Sequence, residues 1–362
     1  MKKYKFGTCG YYDTQNTIPN GQTIRTISVT NAIKDAIGSE EVYSISSHIW
    51  RKKPFAFFIS LIKLAKESKN VVVFPDQNGI KVIVPILIMT RAFTNCQIYY
   101  VVIGGWLPKC LKKHSWLTYF IKKLNGLFVQ TSTLKNELEG IGINKVKTFP
   151  NFKKMEILAS ETLSYEHSKP YKICFFSRII EKKGIEELIE GVKNINGELN
   201  ETIYMLDIYG PVDVDYQERF GEMKKHFPEN IQYCGVVDSL KTVDTLKDYF
   251  LQVFPTKYKT EGFPGSILDS FCAGVPVLAA RWNSWNDVIT EGENGITFEI
   301  ENFGDMVSKL KDIAENPSLI IDMKANCIET ALQLRPEKVI QILLNEVLYD
   351  NKKGGVKCED NK

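Results

Sequence analysis

Two carboxylates and two cations in the second half of this chain are spaced as they would be to hold a phosphorylated sugar. In Thr260-Glu261-Gly262-Phe263-Pro264-Gly265-Ser266-Ile267-Leu268-Asp269-Ser270-Phe271-Cys272-Ala273-Gly274-Val275-Pro276-Val277, Glu261 falls in a loop and Asp269 lies eight residues on. The pattern predicts a helix that opens at Pro264 to Ser266 and ends at Gly274, with Asp269 just inside it. A helix start directs unpaired backbone N–H groups and a positive dipole end forward, which favours an anion such as a diphosphate. Carboxylates only accept hydrogen bonds, so Glu261 and Asp269 suit sugar hydroxyls on either side of that anion. Upstream, Lys172-Ile173-Cys174-Phe175-Phe176-Ser177-Arg178-Ile179-Ile180-Glu181-Lys182-Lys183-Gly184-Ile185-Glu186-Glu187-Leu188-Ile189 reads as an apolar strand, a charged turn and a helix from Ile185. Arg178 and Lys183 therefore fall at the carboxyl end of a strand, where open parallel sheets bind ligands.

Both segments resemble the donor-binding signatures of the retaining glycosyltransferases of family 4, which have the two-domain GT-B fold. The resemblance implies that Glu261 and the backbone of Gly262, Phe263, Pro264 and Gly265 hold the transferred sugar, with Ser266 also among the donor-binding residues. It implies that Asp269, one methylene shorter than the family's usual Glu, binds the ribose, and that Arg178 and Lys183 grip the donor diphosphate. Ser177 stands where that family usually has Gly.

Positioning these residues takes alternating strands and helices twice over. Strands are predicted at 4–9, 42–46, 70–74, 97–102, 127–129 and 146–149, then at 171–177, 202–209, 231–233, 251–254, 276–279 and 295–298. In the first half helices are predicted at 21–37, 54–68, 79–89 and 132–140. Such alternation implies an α/β fold with parallel sheets covered on both faces. Residues 1–160 form one doubly wound, Rossmann-like domain on the acceptor side. Residues 161–335 form a second that binds the nucleotide sugar, after a polar linker from Ser160 to Pro170. By resemblance the two face each other across a cleft, a helix at 336–350 crosses back to the first domain, and 351–362 is a frayed tail.

The net charge of +3 hides an asymmetry: residues 1–155 carry 23 Lys and Arg against 8 Asp and Glu, and the remainder carries 23 against 35. Basic residues gather in Arg51-Lys52-Lys53, beside Trp50, Phe55, Phe57 and Phe58, and in Lys109 to Lys123, with Trp116, Tyr119 and Phe120 between them. Basic amphipathic helices with aromatics suit an anionic membrane surface; the alternative is a core-facing helix with a solvated basic face. No recognition module accompanies the charge, so no nucleic-acid partner is expected. No apolar run approaches the roughly 18 residues of a membrane span, and the N-terminus leads directly into a strand, so a cytoplasmic protein is expected, at most at the inner face of the plasma membrane. The eight cysteines form no Cys-x-x-Cys pair and read as buried free thiols.

The first half carries the less specific signals. Pro19-Asn20-Gly21-Gln22-Thr23-Ile24 resembles the family's glycine loop, with Gly21 letting the diphosphate approach the backbone. Pro75-Asp76-Gln77-Asn78-Gly79 ends the third strand, and Asp76 is a candidate general base. His48, His114, His167 and His226 match no motif. Asp213-Val214-Asp215 offers a competing signal, since paired aspartates hold a divalent metal in the other large glycosyltransferase fold; it follows Gly210-Pro211 and reads as an exposed loop, so no metal and no cofactor is expected. The function implied is retaining transfer of a sugar from a UDP- or GDP-linked donor to a glycan, lipid-linked, in bacterial capsule, exopolysaccharide or O-antigen synthesis, by a hexosyltransferase. The alternatives are a nucleotide-sugar epimerase or hydrolase of the same fold and a catalytically silent partner subunit that binds donor.

Overall fold

The computed structural model describes residues 3–12 and 21–353. The chain divides into two compact units, one of residues 1–154 with 334–362 and one of residues 155–333. The first unit has strands β1 (Tyr4–Gly10), β2 (Val42–Ser46), β3 (Ser68–Val73), β4 (Gln97–Val101), β5 (Gly126–Val129) and β6 (Val146–Thr148). Between them run helices α1 (Gly21–Ile37), α2 (Pro54–Glu67), α3 (Ile80–Thr94), α4 (Leu107–Lys113), α5 (Ser115–Lys122) and α6 (Ser132–Gly140). The sheet order is β2-β1-β3-β4-β5-β6, and every pairing is parallel.

Helices cover both sheet faces, which is why β3 and β4 read as unbroken apolar runs such as Val71-Val72-Val73. Phe57, Leu61 and Leu64 of α2, Ile83 and Leu87 of α3, and Leu117 and Ile121 of α5 share one core with Val71, Val73, Ile98 and Tyr100. Val29 and Ile33 of α1 share the opposite core with Phe6, Val72, Tyr99 and Phe128. Helix α3 extends five residues beyond the predicted end at Met89, closing at Asn95 in the left-handed conformation with its N–H on the Arg91 carbonyl. Nothing in Thr90-Arg91-Ala92-Phe93-Thr94 breaks a helix.

The second unit repeats the alternation with β7 (Tyr171–Phe176), β8 (Tyr204–Tyr209), β9 (Ile231–Gly235), β10 (Leu251–Phe254), β11 (Val277–Arg281) and β12 (Gly295–Glu299). Its helices are α7 (Ile185–Leu199), α8 (Gln217–Lys224), α9 (Thr242–Leu246), α10 (Gly265–Cys272), α11 (Phe303–Glu315), α12 (Ser318–Ile321) and α13 (Lys324–Gln333). The order β12-β11-β10-β7-β8-β9, parallel throughout, is that of the doubly wound dinucleotide fold, with its reversal between β7 and β10. Six of the seven described cysteines are buried; Cys234 is exposed, because β9 is the edge strand.

The last helix, α14 (Pro336–Lys353), packs Val339, Ile340, Leu343, Leu344 and Val347 into the core shared with α1, and Glu346 pairs with Lys147 at 3.3 Å. It runs past the predicted start of the tail at Asn351; the next breakers are Gly354-Gly355, outside the described residues.

Candidate functional site

The carboxyl ends of β7 and β10 are neighbours at the reversal of the second sheet, and both predicted donor motifs leave from them. After β10, residues 255–264 loop out before α10 begins at Gly265 with Pro264 as its N-cap. Pro264 offers no side-chain cap, so the N–H groups of the first turn are left to whatever lies in front of them. After β7, a turn of 3-10 helix over Glu181–Lys183 carries Lys183, and Gly184 then starts α7 in the left-handed conformation at φ 72°. A Cβ on Gly184 would lie 2.0 Å from the Pro255 carbonyl oxygen. Only glycine lets the two loops approach this closely, and the Lys257 N–H on the Lys182 carbonyl at 2.9 Å joins them further.

This approach brings Lys183 onto Glu261: Nζ donates to Oε1 in a tight ion pair with the two side chains only 16% and 14% exposed. The ammonium also lies 4.8 Å from the centre of the Phe254 ring, a second favourable contact for a cation. Glu261 is braced from two sides that the motifs do not name. Buried Thr256 donates from Oγ1 to Glu261 Oε1 at 3.0 Å, and Ser284, after β11, donates to the Glu261 carbonyl at 3.1 Å. The loop is further tied by the Asn283 N–H to the Lys259 carbonyl at 3.0 Å.

Arg178 stands apart from that pair. Its side chain is 44% exposed, and its nearest carboxylate is Asp213 at 3.9 Å, a loose contact. Asp213 is the residue that sequence offered as half of a metal pair. Instead of an open loop, it caps a 3-10 turn over Val214–Tyr216, its Oδ1 accepting from the Asp215 N–H at 3.3 Å. Among the described residues no three His, Cys, Asp or Glu side chains converge as a metal site. Gly210, at φ 137°, permits the close packing behind Arg178, since a Cβ there would meet the Ser177 carbonyl oxygen at 1.9 Å.

Asp269 lies in α10 and is 4% exposed; Phe263 and Pro264 are buried, whereas Gly262, Gly265 and Ser266 are half-buried. Of the first-unit candidates, Gly21 begins α1 with open space where a Cβ would project, and Pro19 and Asn20 lie outside the described residues. Gln22 Nε2 ties α1 to the Phe74 carbonyl at 2.6 Å. Asp76 accepts from the Asn78 and Gly79 N–H groups through Oδ1, so its carboxylate already serves the turn leading into α3.

Sheet order, the glycine-enabled contact of the two loops and the helix start without a side-chain cap define a doubly wound domain whose two motif loops meet at the reversal of its sheet. Residues 163–333 match the family model described as Glycosyl transferases group 1. Among curated proteins, the chain is similar to an uncharacterised glycosyltransferase of Methanocaldococcus jannaschii, 23% identical over 53% of this chain and 46% of the relative. It is also similar to the N,N'-diacetylbacillosaminyl-diphospho-undecaprenol alpha-1,3-N-acetylgalactosaminyltransferase of Campylobacter jejuni, 22% identical over 64% of this chain and 59% of the relative. The matched region thus spans about half the length of these relatives. Among solved structures, Anabaena HepE in complex with UDP matches with a TM-score of 0.76 at 12% identity, over 96% of this chain and all of that one. Sucrose-phosphate synthase of Thermosynechococcus elongatus matches at 0.74 and 13%, over 98% and 100%. The fold is α/β of GT-B type, and the comparisons together support a glycosyltransferase.

Proposed function

We propose that this chain transfers a sugar from a nucleoside diphosphate, UDP or GDP, to a glycan acceptor, with retention of anomeric configuration and without a metal. The observation that carries the reading is the Lys183–Glu261 pair, which joins the loops that follow β7 and β10 at the reversal of the second sheet, the second of these loops leading into the uncapped start of α10. Breaking a glycosyl phosphate bond builds negative charge on the departing diphosphate. Lys183 and the first N–H groups of α10 are fixed donors for that charge, with the more exposed Arg178 as a further cation, so they favour the transition state over the ground state. Glu261, with Oε1 committed to Lys183 and Thr256, has Oε2 to accept from a sugar hydroxyl, and Asp269 binds the ribose.

The lipid-linked acceptor and the role in bacterial surface-polysaccharide assembly draw on the Campylobacter relative, whose name specifies a diphospho-undecaprenol acceptor. The UDP choice draws on the HepE complex. A panel of UDP- and GDP-sugars, assayed for hydrolysis and for transfer to polyprenyl-diphosphate sugars, tests the proposal. Turnover of one donor with a product that keeps the donor's anomeric configuration, lost in Lys183→Met, is expected. Donor binding without transfer or hydrolysis would overturn it in favour of a silent subunit.

A further inference from the structure

Helix α2 of the first unit carries two apolar stripes where a helix on a sheet needs one. Phe57, Leu61, Leu64 and Ala65 face the sheet and are buried. Phe55, Phe58, Ile59 and Ile62 recur at intervals of three and four on another side, with Phe55 84% and Ile59 65% exposed. Its neighbour α3 repeats the arrangement: Ile80, Ile83, Val84 and Leu87 go inward, while Met89 and Phe93 project outward, Phe93 being 87% exposed. Next to α3, α5 turns Leu117 and Ile121 inward and leaves Trp116 and Tyr119 exposed. The three helices pack side by side on one face of the sheet, α2 against α3 and α3 against α5, and Arg91 Nη1 on the Lys123 carbonyl at 3.0 Å fastens the ends of the last two.

The structure also corrects which aromatics are available. Trp50, Phe57 and Phe120, beside the lysine clusters in sequence, pack against the core, and the basic stretch 109–123 is two short helices interrupted at His114. Large apolar side chains grouped on one helical layer are unusual for a surface that only meets water. Their surroundings select the occupant. Across residues 52–67, 80–94 and 107–123 there are eleven Lys and Arg and one carboxylate, Glu67; Lys52, Lys53, Lys112, Lys113, Lys122 and Lys123 are exposed. An anionic bilayer offers an apolar interior beneath a negative plane, matching aromatics ringed by lysines. No helix among the described residues is long and apolar enough to cross a membrane, so the contact is with one leaflet.

We infer that the outer side of α2, α3 and α5 is a docking surface for an anionic lipid bilayer, with Phe55, Ile59, Phe93 and Trp116 entering the headgroup region and the surrounding lysines facing the lipid phosphates. The inference concerns the first unit alone and stands whether or not the site in the second is that of a glycosyltransferase.

Vesicle sedimentation with the full chain tests it. Binding is expected to phosphatidylcholine vesicles containing phosphatidylglycerol and not to pure phosphatidylcholine. It should weaken at least about tenfold in 1 M salt, where the Debye length falls to about 3 Å. Phe55→Ser with Phe93→Ser should lower the partition coefficient about tenfold or more while leaving the melting temperature unchanged, since both side chains are exposed. Lys112→Gln, Lys113→Gln, Lys122→Gln and Lys123→Gln together should remove most of the salt-sensitive part. Brominated lipid should quench a component of the tryptophan fluorescence that Trp116→Phe abolishes. The inference is overturned if anionic vesicles do not bind at 0.1 M salt, or if binding survives the serine variant intact. It is equally overturned if sedimentation velocity shows a dimer that the serine variant dissociates, which would make this face a contact with a second copy.

Discussion

Replacing Thr256 with valine tests whether the catalytic reading of Glu261 depends on the loop that precedes it. Valine keeps the branched shape, so the perturbation is the loss of one hydroxyl from a buried position. That hydroxyl donates to Glu261 Oε1 at 3.0 Å and accepts from the Tyr258 N–H at 3.1 Å. Tyr258 is exposed, and its amide can turn to water, so the loss falls on the carboxylate. A hydrogen bond to a charged partner contributes about 1.5–3 kcal/mol. If all of it serves to aim Glu261 at the donor sugar, kcat/KM falls about 10- to 150-fold, each 1.4 kcal/mol being about tenfold. Steady-state kinetics on the best donor, with a melting curve to confirm folding, reads the effect, and Thr256→Ser, which keeps the hydroxyl, should recover most of it. A folded Thr256→Val enzyme with wild-type kcat/KM would refute the argument that Thr256 positions Glu261.

Lys183→Ala should lower turnover by orders of magnitude without unfolding the protein, and Arg178→Ala, whose side chain is half exposed and loosely paired, by less; kinetics on folded variants decide both. EDTA should leave activity intact, and a loss restored by manganese would return Asp213 and Asp215 to consideration. Calorimetry should find that Glu261→Ala weakens the sugar-bearing donor far more than the bare nucleoside diphosphate, whereas Asp269→Ala weakens both; Asp269→Glu, adding a methylene at a buried position, should cost about 1–3 kcal/mol in chemical denaturation. Gly184→Ala forces a side chain into the left-handed region and onto the Pro255 carbonyl, costing about 1–2 kcal/mol for the conformation alone and more for the displaced loop, so melting temperature and kcat should fall together. Burial lowers the Lys324 amine to about 8 from 10.5, so between these values the unfolded chain holds the proton more firmly and this group's contribution to stability rises with pH. The stability of the wild type relative to Lys324→Met should therefore climb by up to about 3 kcal/mol from pH 8 to pH 10.5 in denaturation curves.

The strands and the helix starts were legible because both sheets are parallel and fully covered, so each strand is a short apolar run bounded by polar turns. The loops that carry Lys183 and Glu261 were legible because each follows a short apolar strand and leads into a helix, the first through Gly184, which the backbone holds at φ 72°. What escaped the sequence is what only the tertiary approach creates. Thr256 has no periodicity or motif to mark it, and its role appears once Pro255 and Gly184 touch. Asp213 was read as part of an exposed loop over the competing metal pair, and spacing alone could not show that it caps a 3-10 turn and lies 3.9 Å from Arg178. In α2 the run Phe55-Ala56-Phe57-Phe58-Ile59 contains residues of both stripes, and no hydropathy period separates the stripe facing the sheet from the one facing outward.

These omissions have a common physical origin, and it locates where the chemistry is built. β7, β10 and β11 are consecutive in the second sheet, yet their trailing loops begin at residues 177, 255 and 282, far apart in the chain. Parallel pairing puts all three loops at one edge of the sheet, where Lys183 comes from the first, Thr256 and Glu261 from the second and Ser284 from the third. A glutamate whose carboxylate takes donors from two loops, and whose backbone carbonyl takes one from a third, has less freedom to turn away from a ligand than one held within its own loop. That rigidity favours a bond-breaking transition state, whose charge must be met by groups already in place. In the proposed reaction the Lys183–Glu261 pair would also keep the cation in position before a diphosphate arrives, and the diphosphate oxygens would accept hydrogen bonds from the ammonium N–H groups that Glu261 does not use.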